Sequence, residues 1–202
     1  KRTGLQWAES ATWPDSGPVI AITVAGAPPE WPREIPKRPG DCLPEQRPEG
    51  FRLYVERQGD AAPTVWLIGA DARGALFAAG QFLRSMTWSE GRVSFPADLD
   101  VCTSPAYPIR GHQLGYRNTA NAYDAWDVAT YDQYIRELVL FGANCVENIP
   151  SQDDPGPHAR VPREEMNVAM AQICQRYGID YWVWVPAGFE LNDADRRAES
   201  LA

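Results

Sequence analysis

No apolar run in the sequence approaches the roughly 20 residues that cross a bilayer, so no membrane-spanning helix is expected. Cationic residues are outnumbered, 19 Lys and Arg against 27 Asp and Glu, and the net charge is −8. That balance argues against a nucleic-acid partner, whose phosphates call for clustered cations. The four cysteines, Cys42, Cys102, Cys145 and Cys174, show no CxxC spacing, and no zinc site is expected. GxSxG, HExxH, the P-loop and a GxGxxG after a strand are all missing, and no cofactor is expected. The chain shows no signal peptide and opens at Lys1 without a methionine, which is compatible with removal of a targeting segment.

What is present is ordinary globular material: 44% hydrophobic and 23% charged residues in a chain of 202. That length suits one large domain or two modest ones. Eight Trp and eight Tyr stand out. Such aromatics serve either as flat platforms for sugar rings or as core and ordinary surface.

The two halves differ in pattern. Residues 1 to about 48 are rich in proline, with one apolar run, "PVIAITVAG"; "PPEWPREIPKRPGDCLPEQRP" holds neither a helix nor a central strand. "EGFRLYVER" alternates Phe51, Leu53 and Val55 against Arg52, Tyr54 and Glu56, the period of a half-buried strand. "TVWLIGAD" reads as a second strand. "ARGALFAAGQFLRSM" then turns helical, with Leu76, Phe77, Gly80 and Leu83 on one face and Asp71 as N-cap. "GRVSFP" closes the set as a last strand. The expectation is an α+β sandwich domain over residues 1–104.

From 105 to 202 the order becomes β-α-β-α-β, that of a parallel sheet with right-handed crossovers. The strands are "IRGHQLGY", "ANCVENIP" and "IDYWVWVP". The first helix spans 130–142, with Tyr134, Ile135, Leu138 and Phe141 on its apolar face, Thr130 as N-cap and Gly142 as stop. The second spans 162–178, with Pro162 near its start and Gly178 after its end. "LNDADRRAESLA" starts another helix. This is an α/β segment resembling the first three β/α units of a TIM barrel, truncated or ordered only in part.

A resemblance sharpens that reading. "EGFRLYVER…TVWLIGADARGALFAAGQFLRSM" resembles the non-catalytic α+β domain preceding the barrel in family 20 hexosaminidases, family 67 α-glucuronidases and related glycoside hydrolases. Asp71, Arg73, Gly74, Phe77, Gly80 and Leu83 fit the shared pattern. "PAYPIRGHQLGYR" resembles the start of those barrels, and the likeness runs over about residues 15 to 190. It implies a carbohydrate substrate and a secreted or periplasmic protein. Arg110 matches the first-strand arginine that donates to sugar hydroxyls in family 20, a planar fork suiting a vicinal pair.

Site residues of a barrel sit at the C-terminal strand ends. By strand alternation Arg110 and His112 are expected inward, with Gly111 and Gly115 outward against helices. The alternatives are that Arg110 pairs with a buried carboxylate and that His112 is a hydrogen-bonded core residue. Arg117, Tyr123 and Trp126 lie beyond the strand, as rim contacts or as loop pins. Glu147 or Asn148 points inward from the second strand, and Trp182 or Trp184 from the third, as a wall for the sugar. The expected substrate contacts are therefore Arg110, His112, Glu147, Trp184 and Arg117. Cys145 and His112 fall on adjacent strands, though Cys145 reads as packing. The loop with Asp153, Asp154 and His158 reads as solvated.

Glycosidases need two carboxyl groups about 5 to 9.5 Å apart across the scissile bond. The resemblance implies that these sit on or after the fourth strand. Glu147 and Glu190 are the only carboxylates at plausible strand ends, so no catalytic residue is assigned. Two readings stand: the N-terminal part of a hydrolase acting on hexosamine- or uronic-acid-containing glycans, and a non-catalytic carbohydrate-binding or scaffold module.

Overall fold

A computed structural model describes residues 4–25, 31, 34–35, 47–114, 122–148 and 159–183. The first layer is a four-stranded sheet in the order β1-β3-β2-β6. Its strands are β1 (Val19–Val24), β2 (Phe51–Glu56), β3 (Thr64–Gly69) and β6 (Asp100–Thr103). β1 runs parallel to β3, and the β3–β2 and β2–β6 pairs are antiparallel. Between β3 and β6 come helix α1 (Ala72–Ser85) and a two-stranded ribbon, β4 (Thr87–Ser89) with β5 (Arg92–Ser94). The "GRVSFP" strand thus belongs to this ribbon, and the fourth place in the sheet is taken by β6, which carries too little alternation to stand out.

α1 begins where expected. The Asp71 carboxylate accepts from the Gly74 N–H at 2.8 Å, satisfying a donor that the first helical turn leaves orphaned. Its buried stripe runs through Gly74, Ala75, Phe77, Ala78, Gly80 and Phe82, whereas Leu83 is 37% exposed. β2 is not half-buried as its alternation suggested. Phe51, Leu53 and Val55 face α1, while Tyr54 packs on the opposite face with Ala21, Trp66 and Ile68. Trp13 and Trp31 cover that second face, 5.6 and 6.4 Å from the Trp66 ring and 5.7 Å from each other. The Trp66 indole N–H donates to Glu56 at 2.8 Å, so its buried polar atom is satisfied.

The second layer is a parallel sheet, β7 (Gly111–Gln113), β8 (Cys145–Asn148) and β9 (Asp180–Val183), in that spatial order. Helices α2 (Val128–Leu140) and α3 (Arg163–Tyr177) are the crossovers. The α+β layer followed by a parallel β-α-β-α-β segment is the architecture anticipated from the sequence; the described strands do not close a barrel. α2 is capped by Asp127, which accepts from both the N–H and the hydroxyl of Thr130, so Thr130 sits inside the first turn instead of capping it. Its buried residues are Tyr131, Ile135 and Val139, with Phe141 74% exposed under the Arg84 guanidinium. α3 ends at Gly178, whose φ of 66° is the left-handed geometry that glycine adopts without strain.

One hydrophobic core joins the layers. Phe77 and Phe82 of α1 belong to the same buried cluster as Leu114, Ile135, Val146, Met170 and Ile173. α1 meets α2 closely enough that a Cβ on Gly80 would lie 2.2 Å from the Leu140 carbonyl oxygen. Arg84 donates to that same carbonyl.

Candidate functional site

In a parallel sheet, residues in register share a face. His112, Val146 and Tyr181 form one row. Val146 is fully buried in the core beneath the helices, so this row faces α2 and α3. The neighbouring row, Gln113, Glu147 and Trp182, therefore faces away from the helices, at the C-terminal ends of the strands. Trp182 is 46% exposed, Glu147 half-buried and Gln113 exposed. No hydrogen bond or ion pair engages the Glu147 carboxylate among the described residues.

This reverses the faces expected for the first strand. His112 points to the helical layer, where its Nδ1 lies 2.6 Å from the Tyr134 hydroxyl. Burial pushes that phenol up to about 12, with Tyr123 adding to the shift. Gly111 is on the open face, packed so closely over Cys145 that an added Cβ would meet its Sγ at 2.4 Å. Small size at Gly111 thus admits a neighbouring strand's side chain and not a helix. Cys145 and His112 occupy opposite faces, so they form no nucleophile pair; burial raises the Cys145 thiol, and Asp180 adds to it.

Arg110 sits at the N-terminal end of β7, the wrong end for the expected pocket. Its guanidinium donates to Glu49 at 2.6 Å, to the Gly142 carbonyl at 2.9 Å and to the Tyr107 carbonyl at 2.9 Å. The pairing with a buried carboxylate, weighed as the alternative, is the arrangement found. Of Glu147 and Asn148, it is Glu147 that shares the open face. Asn148 is buried, donating to the Tyr181 hydroxyl at 2.9 Å and to Asn167. Tyr123 and Trp126 pin the loop: their rings meet edge-on at 4.7 Å, and Trp126 abuts Tyr131 and Tyr134. Arg117, Trp184, Glu190, Asp153, Asp154 and His158 lie outside the described residues.

Gln113 is the residue that sequence reasoning missed. It is in the right alternation with Glu147, but Arg110 and His112, the more conspicuous polar residues of this stretch, point by alternation to the other face. The site's chemistry is an acceptor carboxylate, an amide with both donor and acceptor, and an indole plane. Cavity size does not locate this site. The larger hollow, about 420 Å³, lies at the opposite strand ends between α1 and α2, lined by Phe51, Phe77, Arg84, Leu138 and Phe141. At the C-terminal end on the helix side, a crevice of about 20 Å³ under Trp126, Asn148 and Asn167 has room for a single water.

Cys102 is disulfide-bonded, while Cys145 and Cys174 carry free thiols. No group of three or more His, Cys, Asp and Glu among the described residues is arranged to hold a metal.

No family model matches the sequence, and no curated protein matches it. Solved structures do. A family 20 β-N-acetylglucosaminidase superposes with a TM-score of 0.54 at 13% identity, over 82% of this chain and 33% of its own. The family 20 exo-β-N-acetylglucosaminidase of Vibrio harveyi, solved in complex with N-acetylglucosamine, gives 0.50 at 12% identity over 76% of this chain and 28% of its own. An inactive mutant of the same enzyme gives 0.51 at 11% identity. The chain spans about a third of the length of the structures it matches. At these identities the likeness is one of fold: this chain is built like part of the family 20 glycoside hydrolase structures.

Proposed function

We propose that this chain is the N-terminal part of a carbohydrate-active glycoside hydrolase acting on hexosamine- or uronic-acid-containing glycans. In this reading residues 1–104 form a non-catalytic domain and 105–202 begin a (β/α) barrel. The observation that carries it is the row Gln113–Glu147–Trp182. Barrel enzymes place their chemistry at the C-terminal strand ends, and this row offers the two things a sugar ring recognises there. An exposed indole receives the C–H face of the ring, and a carboxylate accepts from its hydroxyls. Trp184, directly after β9, and Arg117, beyond β7, extend the proposed rim. The catalytic carboxyl pair would come from later strands. The disulfide at Cys102 supports a secreted or periplasmic location, since such bonds persist in oxidising compartments.

The test is to assay the native gene product on aryl N-acetylhexosaminides and aryl glucuronides, with Glu147→Gln and Trp182→Ala beside it. Turnover is expected, lowered about tenfold or more by each variant, the loss of a charged hydrogen bond or of a stacking surface. Sugar binding without turnover would move the assignment to a non-catalytic carbohydrate-binding module. That second reading is favoured by one fact: among the described residues Glu147 is the only carboxylate in the row at these strand ends. Neither binding nor turnover would refute both.

A further inference from the structure

The two layers meet at one carboxylate. Glu49 lies just before β2 with its side chain 11% exposed. Its oxygens accept from Arg110 at 2.6 Å, from Arg73 at 3.2 Å and from the Asn144 amide at 3.1 Å. A buried carboxylate is tolerated when it is paired and hydrogen-bonded, and Glu49 is saturated in this way. Its backbone adds an independent sign. With φ at 61°, Glu49 is the only non-glycine residue in the left-handed region among those described. Such a conformation persists only where the surroundings over-determine it. Here the Glu49 N–H donates to Asp71 at 2.8 Å, the carboxylate that also caps α1.

The addresses of its partners are what matter. Arg110 immediately precedes β7, and Asn144 immediately precedes β8. Arg73 continues to the Gly178 carbonyl at 2.5 Å and to Asp180, the first residue of β9, at 2.7 Å. The main chain carries the same tie, from the Asn144 N–H to the Arg110 carbonyl and from the Asp180 N–H to the Asn144 carbonyl, each at 2.9 Å. A single side chain of the first layer thus reaches the N-terminal ends of all three parallel strands, directly or through Arg73.

We propose that Glu49 is a register lock: it sets the stagger of β7, β8 and β9 and makes their folding depend on the four-stranded layer. A slip of one residue turns every side chain of a strand to the other face. A β7 of three residues, paired on one edge only among the described residues, has few ladder bonds of its own to prevent this. Fixing the strands at this end is what keeps Gln113, Glu147 and Trp182 in one row at the other. The inference does not depend on the row binding sugar.

The deciding experiment is hydrogen exchange with calorimetry on the whole 202-residue chain carrying Glu49→Gln, which keeps the shape and leaves Arg73 and Arg110 without their shared anion. The unaltered chain is expected to melt in one transition. In the variant, amides of β7, β8 and β9 are expected to exchange at least about tenfold faster while β2 and β3 keep their protection, and the parallel layer melts first as a separate transition. Two transitions in the unaltered chain, or a variant with uniform or unchanged protection, would overturn the lock. If Glu49→Gln does not fold, Asp180→Asn decides, because it removes the charge partner of Arg73 at β9 and weakens that arm alone, leaving the Arg110 and Asn144 contacts with Glu49 untouched. Protection lost selectively in β9 is expected; equal loss in β7, or none, would overturn the proposal.

Discussion

Replacing Gly80 by alanine sets two physical effects against each other. In the middle of a helix Gly→Ala ordinarily stabilises by about 1 kcal/mol, because alanine loses less conformational entropy on folding. At this position the new Cβ would lie 2.2 Å from the Leu140 carbonyl oxygen and 2.9 Å from its carbon, where ordinary contact begins at 3.4 Å. The neighbour is the main chain at the end of α2, which cannot rotate away as a side chain would. α1 and α2 must therefore separate by roughly 1 Å, the shortfall in that distance. Overpacking of this kind costs about 1–3 kcal/mol, and the Arg84 hydrogen bond to the same carbonyl would be lost at about 1 kcal/mol more. Subtracting the gain in propensity leaves a net loss of about 2 kcal/mol, or a melting point about 4–8 °C lower for a chain of this size. Urea titration at 25 °C together with a thermal melt measures both. A variant as stable as the parent, or more stable, would refute the close helix contact on which the joint between the layers rests.

Alkaline titration tests the burial of Tyr134 between α2 and the parallel sheet. Tyr134 is raised to about 12 by burial, so its neutral form is favoured in the fold; the stability this contributes is complete below the ordinary tyrosine pKa of about 10 and is lost as the pH climbs towards 12. Tyr134→Phe is expected to flatten the fall in melting point between pH 10 and 12, and an unchanged slope would contradict the burial. Cys174 is fully buried and its thiol is pushed up to about 12 by burial. It should resist a thiol reagent at pH 8 until the chain unfolds; labelling of Cys174 in the folded protein would place it at the surface. Gly178→Ala should cost about 1 kcal/mol, because the left-handed cap of α3 has no strain-free alternative for alanine; chemical denaturation reads this, and a neutral result would mean the helix ends elsewhere.

Strands and helices with a single dominant period were legible from the residues alone. The Asp71 cap, the Gly178 stop and the parallel order after residue 105 follow from local chemistry, and the structure has them. Facing was harder. Arg110, just before β7, and His112 and Gln113 within it fall in four residues, and period two says only that two of them share a face. Which face is buried depends on Tyr134, a partner 22 residues away that offers His112 its hydrogen bond. The helix stripes were legible in part: Tyr134, Ile135 and Leu138 pack in or against the core as their spacing implies, but Tyr131 and Val139 are buried deeper, and Phe141, the cap just past α2, is exposed. Glu49 gave no signal at all. It stands in a polar turn next to Gly50, and its importance comes from residues as far off as Asn144, brought near only by the packing of two layers.

The three indoles on the outer face of the first sheet have an optical consequence. Trp13, Trp31 and Trp66 are held within 6.4 Å of one another at interplanar angles of 67°, 31° and 54°. Transition dipoles that close and that fixed couple, so the trio should give a paired circular-dichroism band and pass excitation among themselves. Trp126 and Trp182, in the parallel layer, stand apart from that trio. The coupled band thus reports, with no label added, whether Trp13 and Trp31 stay seated on Trp66 and the outer face of the first sheet.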